Sequence, residues 1–206
     1  MERRFVEAQQ VQALVEEDAQ TRMIGYAAPF NQRAMIAGLF MEEFLPGAFA
    51  ETIARDDIRA LWCHDRAFLL GRNRTGTLEL AEDEYGLRIV AYPPATPLAS
   101  SFVENVRRGD VDTMSFEFKV DNPEDEEWTR TDAGVVLRRI RRARLREVSF
   151  EPFAAYSGTS ADVRSVFGEI PVIPADVRGA TASAVDEVLL RARRAYRVRQ
   201  IELIGV

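Results

Sequence analysis

The sequence predicts a mainly β (α+β) fold for residues 1–160 and a separate helical tail for residues 161–206. The first observation behind this is the repeated alternation of apolar and polar residues in short segments bounded by turn residues, which is typical of strands. The second is the change of pattern beyond residue 160, where a linker punctuated by Pro171 and Pro174 precedes a helical periodicity. A chain of 206 residues can bury one sizeable hydrophobic core, so we expect one main domain.

Six segments of the main domain are predicted to be extended because their residues alternate in polarity. A β-hairpin is predicted where Gly86 supplies the turn between two of them. In the segment that ends at His64, alternation places Trp62 and His64 on one side of a strand and Cys63 on the other. The predicted extended segments are residues 21–30, 58–64, 77–80, 87–92, 111–120 and 135–150.

Helices are predicted from capping residues and from apolar residues three or four positions apart. A short helix within residues 43–55 begins near Pro46. A second helix has Thr96 as its cap and Pro97 at its first position, and Gly109 closes it. In the tail, an amphipathic helix is predicted over residues 182–203, with an apolar stripe of Val185, Leu189, Ala192 and Tyr196.

The composition disfavours several classes of function. A net charge of −6 argues against a dedicated nucleic-acid binder, because neutralising phosphates requires a basic face. The sequence has no run of about 18 apolar residues, so no membrane partner is expected. The first residues lack the apolar core of a secretory signal. The single cysteine, Cys63, excludes an internal disulfide and fits a reducing compartment, so we expect a cytoplasmic protein.

The chain offers few candidate bases and metal ligands, since it has one histidine, His64, and one lysine, Lys119. Zinc sites usually draw several ligands from His and Cys, so neither a metal nor another cofactor is expected. Lys119 lies about 13 Å along an extended strand from Ser115, which excludes a Ser–Lys dyad. His64 is therefore the candidate general base; a structural or exposed histidine is the alternative interpretation.

Ser115 is the candidate nucleophile. It lies in the alternating segment 111–120, where Met114 and Phe116 belong to the apolar phase and Ser115 to the opposite one. One interpretation is an ordinary serine on the solvent side of a strand. The other is a nucleophile to which the fold brings a base and an orienting acid. No G-x-S-x-G motif surrounds a serine, which disfavours an esterase of unrelated fold.

Glu147 is the candidate orienting acid. Alternation predicts that Glu147 and Leu145 share an inward phase, because the opposite phase is rich in arginine and should be solvated. A carboxylate on the inward side needs a charged or hydrogen-bonding partner. That partner is either an arginine of another strand or His64. The arginines predicted to form the solvated face are Arg138, Arg139, Arg141, Arg142, Arg144 and Arg146.

Seven segments, taken in their order along the chain, indicate a resemblance to a known protein family. They are GYAAPF (25–30), FLPGAF (44–49), IRALWCHD (58–65), LGRNRTGTLEL (70–80), EDEYGLRIV (82–90), RRGDVDTMSFEF (107–118) and LREVS (145–149). Together they resemble the prohead (capsid-maturation) proteases of tailed phages and prophages, which are distant relatives of the herpesvirus assemblin proteases.

The resemblance implies a serine endopeptidase on an assemblin-like closed β-barrel that is flanked by short helices. The family's His-Asp pair falls on His64 and Asp65, and its Met-Ser-Phe motif places the nucleophile at Ser115. Its Glu-Val-Ser stretch places the third catalytic residue at Glu147. Assemblins use a second histidine at that point, which this chain lacks.

The implied substrate is the major capsid protein or a scaffolding protein, cleaved inside the immature capsid in the bacterial host cytoplasm. Self-cleavage and a homo-oligomer are further expectations. The alternative is a non-catalytic capsid assembly or scaffolding protein on the same fold. The presence of Ser115, His64 and Glu147 at the family's positions argues against that alternative.

Overall fold

A computed structural model of the chain describes residues 1–6, 11–15, 21–36, 38–152 and 171–178. The tail helix predicted over residues 182–203 lies outside the described residues. None of the helices within the described ranges is long and apolar enough to cross a membrane.

Strands dominate the described residues, which confirms the mainly β prediction. The helices are α1 (Ala50–Arg55), α2 (Pro97–Arg108) and α3 (Ala175–Arg178). In chain order the strands are β1 (Glu2–Val6), β2 (Gln12–Val15), β3 (Thr21–Pro29), β4 (Ala34–Ile36), β5 (Phe40–Phe44), β6 (Arg59–Trp62), β7 (Asp65–Arg72), β8 (Leu78–Glu82), β9 (Gly86–Ala91), β10 (Thr113–Lys119), β11 (Glu126–Arg130), β12 (Val136–Ile140) and β13 (Arg144–Glu151).

The described strands form three sheets rather than the closed barrel that the resemblance implied. The first sheet has the order β1-β10-β13-β6-β7, the second β11-β12-β5-β4 and the third β2-β3-β9-β8. Neighbouring strands are antiparallel except in the pairs β13–β6 and β12–β5. An isolated bridge between Phe30 and Phe44 joins the third sheet to the second. A barrel requires hydrogen bonding all the way round, and among the described residues each sheet instead ends in edge strands.

All three sheets contribute to one main hydrophobic core. Phe44 of β5 contacts three other rings of this core, with ring centroids 5.3 Å from Phe49, 5.4 Å from Phe116 and 5.2 Å from Phe118. Such aromatic pairs add to the free energy gained by burying the rings. The third sheet approaches β10 closely at Gly25, where a Cβ atom would lie 2.6 Å from the Met114 sulfur. Close packing therefore fixes the strand that carries Ser115.

Local signals predicted several elements well. The β8–β9 hairpin forms as predicted, but Gly86 is the first residue of β9 and does not lie in the turn. Helix α2 begins after Thr96, whose side chain accepts a hydrogen bond from the Ala99 amide at 3.3 Å, and it ends at Gly109 with φ +80°. The first helix is shorter than predicted, because residues 43 and 44 belong to β5, residues 46–49 form a turn, and the helix begins only at Ala50.

Residues 171–178 pack on the second sheet. Ile173 and Val177 are buried in a small cluster with Ile36, Phe40 and Val136. The Arg130 side chain donates a hydrogen bond from Nε to the Val177 carbonyl at 2.9 Å. The part of the predicted linker that contains Pro174 is therefore held against the main domain.

One arginine predicted to be solvated is buried instead. Arg138 is 1% exposed and belongs to an ionic cluster that joins β1 to the second sheet. Its guanidinium donates to Glu2 at 3.0 Å, to Glu42 at 2.8 Å and to Glu126 at 2.6 Å. Three acidic partners supply the charge compensation that a buried guanidinium requires. Arg4 of β1 is a further member of this buried cluster, which also comprises Glu2, Glu42, Glu126 and Arg138.

Candidate active site

His64 lies in a two-residue turn between β6 and β7, not at the end of a strand as predicted. Cys63 and His64 have φ of +50° and +58°, the left-handed backbone that tight hairpins of this length require at both positions. Two hydrogen bonds to β13 hold the turn in place. The His64 amide donates to Ser149 Oγ at 3.0 Å, and the Cys63 amide donates to the Phe150 carbonyl at 3.2 Å. The turn thereby directs the imidazole toward the first sheet.

Ser115 lies on β10 directly opposite Ser149 of β13. Its side chain is 0% exposed, so the interpretation as a solvent-side serine is wrong. That phase of β10 is buried because the β6–β7 turn lies over it and β1 lies beside β10 in the sheet. Ser115 Oγ is 2.7 Å from His64 Nε2 and 2.8 Å from the Arg4 carbonyl oxygen of β1.

Glu147 is buried, as predicted, but on the other face of the sheet. A register shift in the β10–β13 pairing leaves Arg146 unpaired, so Leu145 points into the main core and Glu147 away from it. Within the described residues, the hydrogen-bond partners of its carboxylate are His64 Nδ1, in a short contact, and Ser149 Oγ at 2.8 Å. The alternative of an arginine partner is not what the structure shows.

Ser149 was not singled out from the sequence. Its hydroxyl accepts from the His64 amide and donates to Glu147 Oε2, so it connects the turn backbone to the carboxylate. Alternation could have found it, because residues 147 and 149 of one strand lie on the same face. Ser149 therefore helps to orient both members of the His64–Glu147 pair.

Glu151 is a second carboxylate that the sequence did not single out. Its Oε1 lies 3.5 Å from His64 Nε2 and, among the described residues, is buried without a hydrogen-bond partner. Burial raises the pKa of this carboxyl, although His64 acts in the opposite direction. The imidazole is thus bracketed by Glu147 at one nitrogen and by Ser115 and Glu151 at the other.

Cys63 is unsuited to act as a nucleophile. Burial of its sulfur raises the pKa of the thiol to about 12, and the nearby Glu151 carboxylate adds to this effect. The residue as a whole is exposed, but at neutral pH its thiol is protonated and therefore weakly reactive.

The three predicted residues thus come together in one hydrogen-bonded chain. When Nδ1 of neutral His64 carries a proton, it donates to Glu147 and leaves Nε2 free to accept the Ser115 proton. A serine, an imidazole and a buried carboxylate in this order form the arrangement that activates a hydroxyl for attack on a carbonyl. Among the described residues, no group of three or more His, Cys, Asp or Glu side chains is arranged to hold a metal ion.

Comparison with known proteins gives one match. A model of the caudovirus prohead serine protease family matches residues 8–169, which include all three residues of the chain of hydrogen bonds. Searches of curated proteins and of solved structures gave no match. The expected relationship to the herpesvirus assemblins therefore stays a prediction.

Proposed function

The chain belongs to the caudovirus prohead serine protease family, and we propose that it is an active serine endopeptidase that cleaves the major capsid protein or a scaffolding protein. The cleavage takes place inside the immature capsid in the bacterial host. The single observation that carries this proposal is the position of the His64 ring, which bridges Ser115 Oγ and the Glu147 carboxylate.

In the proposed mechanism, Ser115 is the nucleophile and His64 the general base. As Ser115 Oγ attacks the scissile carbonyl carbon, its proton passes to His64 Nε2, and Glu147 stabilises the imidazolium that forms. His64 then gives this proton to the leaving amine, which departs and leaves an acyl group on Ser115. A water molecule, deprotonated by His64, attacks the acyl carbon and releases the second product.

Co-expression with the capsid protein of the same phage, followed by mass spectrometry of the products, tests the proposal. Specific cleavage is expected with the wild-type chain, and none with Ser115→Ala. A fluorophosphonate probe, which reacts with activated serines, should label the wild-type chain at Ser115. A folded wild-type chain that neither cleaves nor labels would instead support the alternative of a non-catalytic assembly protein.

We also propose that the chain cleaves itself in the linker that follows residue 160, of which residues 161–170 lie outside the described residues. Purified wild-type protein should shorten on incubation, with Ser115→Ala keeping its full mass. Because residues 171–178 pack on the second sheet, the released fragment should stay attached until the chain is unfolded. Equal shortening of both proteins would point to a contaminating protease.

A further inference from the structure

The candidate nucleophile is closed off by strand β1. Ser115 is 0% exposed, so a peptide cannot reach its Oγ atom without movement of a neighbouring element. Phe5 of β1 is paired with Ser115, and Ser115 Oγ lies 2.8 Å from the Arg4 carbonyl oxygen. A hydroxyl has a single proton to donate. The Arg4 carbonyl therefore competes with His64 for the proton that attack on a substrate requires.

Strand β1 can leave with the least disruption of the first sheet. Among the described strands, β10 is flanked by β13, which is also paired with β6, and by β1, which is at the edge of the sheet. Removing β13 would divide the sheet, whereas removing β1 breaks one strand pairing and exposes the backbone N–H and C=O groups of β10. An exposed strand edge of this kind binds an extended peptide by adding it to the sheet.

We infer that an extended segment of the protein substrate replaces β1 on the edge of β10. This inference rests on the proposed protease function and adds to it the place and the conformation of the bound substrate. In the antiparallel register of β1, a backbone carbonyl lies at hydrogen-bond distance from Ser115 Oγ, as the Arg4 carbonyl does. The carbon of a scissile carbonyl must come within about 3–3.5 Å of the nucleophile before attack, and a substrate carbonyl in the position of the Arg4 carbonyl would bring its oxygen to 2.8 Å from Ser115 Oγ.

The ionic cluster permits this exchange. Strand β1 contributes Glu2 and Arg4 to it, so their departure removes no net charge. Arg138 then still has Glu42 at 2.8 Å and Glu126 at 2.6 Å. Because no buried ion is left without a partner, the large penalty for an uncompensated buried charge does not arise. The cluster holds β1 in the resting protein without making it irreplaceable.

A reversible disulfide tests the inference. Arg3 of β1 and Glu117 of β10 are directly paired, and opposite residues of an antiparallel pair have the Cα separation that a disulfide accepts. In the full chain carrying Arg3→Cys and Glu117→Cys, oxidation should lock β1 in place. Both capsid-protein cleavage and fluorophosphonate labelling should slow by about tenfold or more, because the open fraction falls. Dithiothreitol should restore both rates.

A matched variant loosens β1 instead of locking it. Arg4→Gln removes the side chain that binds Glu42 but keeps the backbone carbonyl, and it leaves three acidic residues with Arg138 alone. With the fold checked by circular dichroism, labelling of Ser115 should be faster than in the wild type. Slower or unchanged labelling in the folded variant would overturn the inference, as would equal rates in the oxidised and reduced forms of the disulfide variant.

Two further outcomes separate the inference from the proposed function. If Ser115 stays unlabelled in the wild-type, reduced and loosened proteins alike, the proposed function fails. The replacement of β1 can then still be tested by measuring amide hydrogen exchange in the Ser115→Ala chain mixed with the capsid protein. Faster exchange of the β1 amides, with the β10 amides still protected, supports the replacement of β1. Unchanged exchange of β1 in the presence of bound capsid protein refutes it.

Discussion

Replacing Glu147 by glutamine tests the proposed catalytic chain most directly, because it changes one charge and little volume. In the structure the Glu147 carboxylate accepts from His64 Nδ1 and from Ser149 Oγ. In Glu147→Gln, one of the two carboxylate oxygens becomes an NH2 group, which cannot accept a hydrogen bond. Either His64 Nδ1 or Ser149 Oγ therefore loses its acceptor. The amide also carries no charge to balance the imidazolium that forms during attack.

The expected loss follows from that contact. A hydrogen bond to a charged group contributes about 1.5–3 kcal/mol, and about 1.4 kcal/mol corresponds to a tenfold change in rate. We therefore expect cleavage by Glu147→Gln to be about 10- to 100-fold slower, mainly in kcat, since the interaction strengthens in the transition state. Single-turnover cleavage of the capsid protein, followed by mass spectrometry, measures this rate.

Glu117→Gln is the matched control. Glu117 is directly paired with Glu147 across β10 and β13 and is also buried, but its carboxylate contacts Arg3 and Arg146. Glu117→Gln should cleave the capsid protein no more slowly than the wild type. A Glu147→Gln rate within twofold of the wild type, or equal losses in the two variants, would refute the role assigned to Glu147.

Two other predictions concern the same site. Ser115→Ala and His64→Ala should each abolish capsid-protein cleavage with unchanged circular dichroism, and normal turnover by either variant would contradict the assignment. Burial raises the pKa of the Glu151 carboxyl in the folded protein. Ionisation of Glu151 therefore lowers the free energy of unfolding increasingly as the pH rises above about 4.3, the pKa of a glutamate in the unfolded chain. Glu151→Gln should therefore unfold at higher urea than the wild type at pH 7 and lose this advantage near pH 4.

Local patterns in the sequence were enough to predict many of the elements but not their assembly. Alternation predicted β3 and β10, and capping residues predicted α2, because these signals depend on neighbours within a few residues. The pairing of β1 with β10 could not be predicted in this way. Arg4 and Ser115 are separated by 111 positions in the chain, and β1 shows no alternation that specifies a partner. The closed barrel came from the resemblance alone, and it is the part of the fold that the structure did not bear out.

The burial of Glu147 was predicted correctly from an incorrect step. The sequence argument placed Glu147 in the same phase as Leu145, and the register shift at Arg146 puts the two on opposite faces. Glu147 is buried all the same, because the opposite face is covered by the β6–β7 turn. A bulge depends on the pairing with another strand, so alternation within one strand cannot reveal it.

The same bulge explains why the site forms on this sheet. Strand β13 supplies the Glu147 carboxylate, the Ser149 hydroxyl and the backbone carbonyl that binds Cys63. In a regular strand without this bulge, residues 145, 147 and 149 would share one face, and residues 147 and 149 would face the main core. The left-handed backbone at Cys63 and His64 costs about 1–3 kcal/mol per residue, and the bonds from β13 offset part of it. The register of β13 therefore determines both the position of the acid and the conformation of the turn that carries the base.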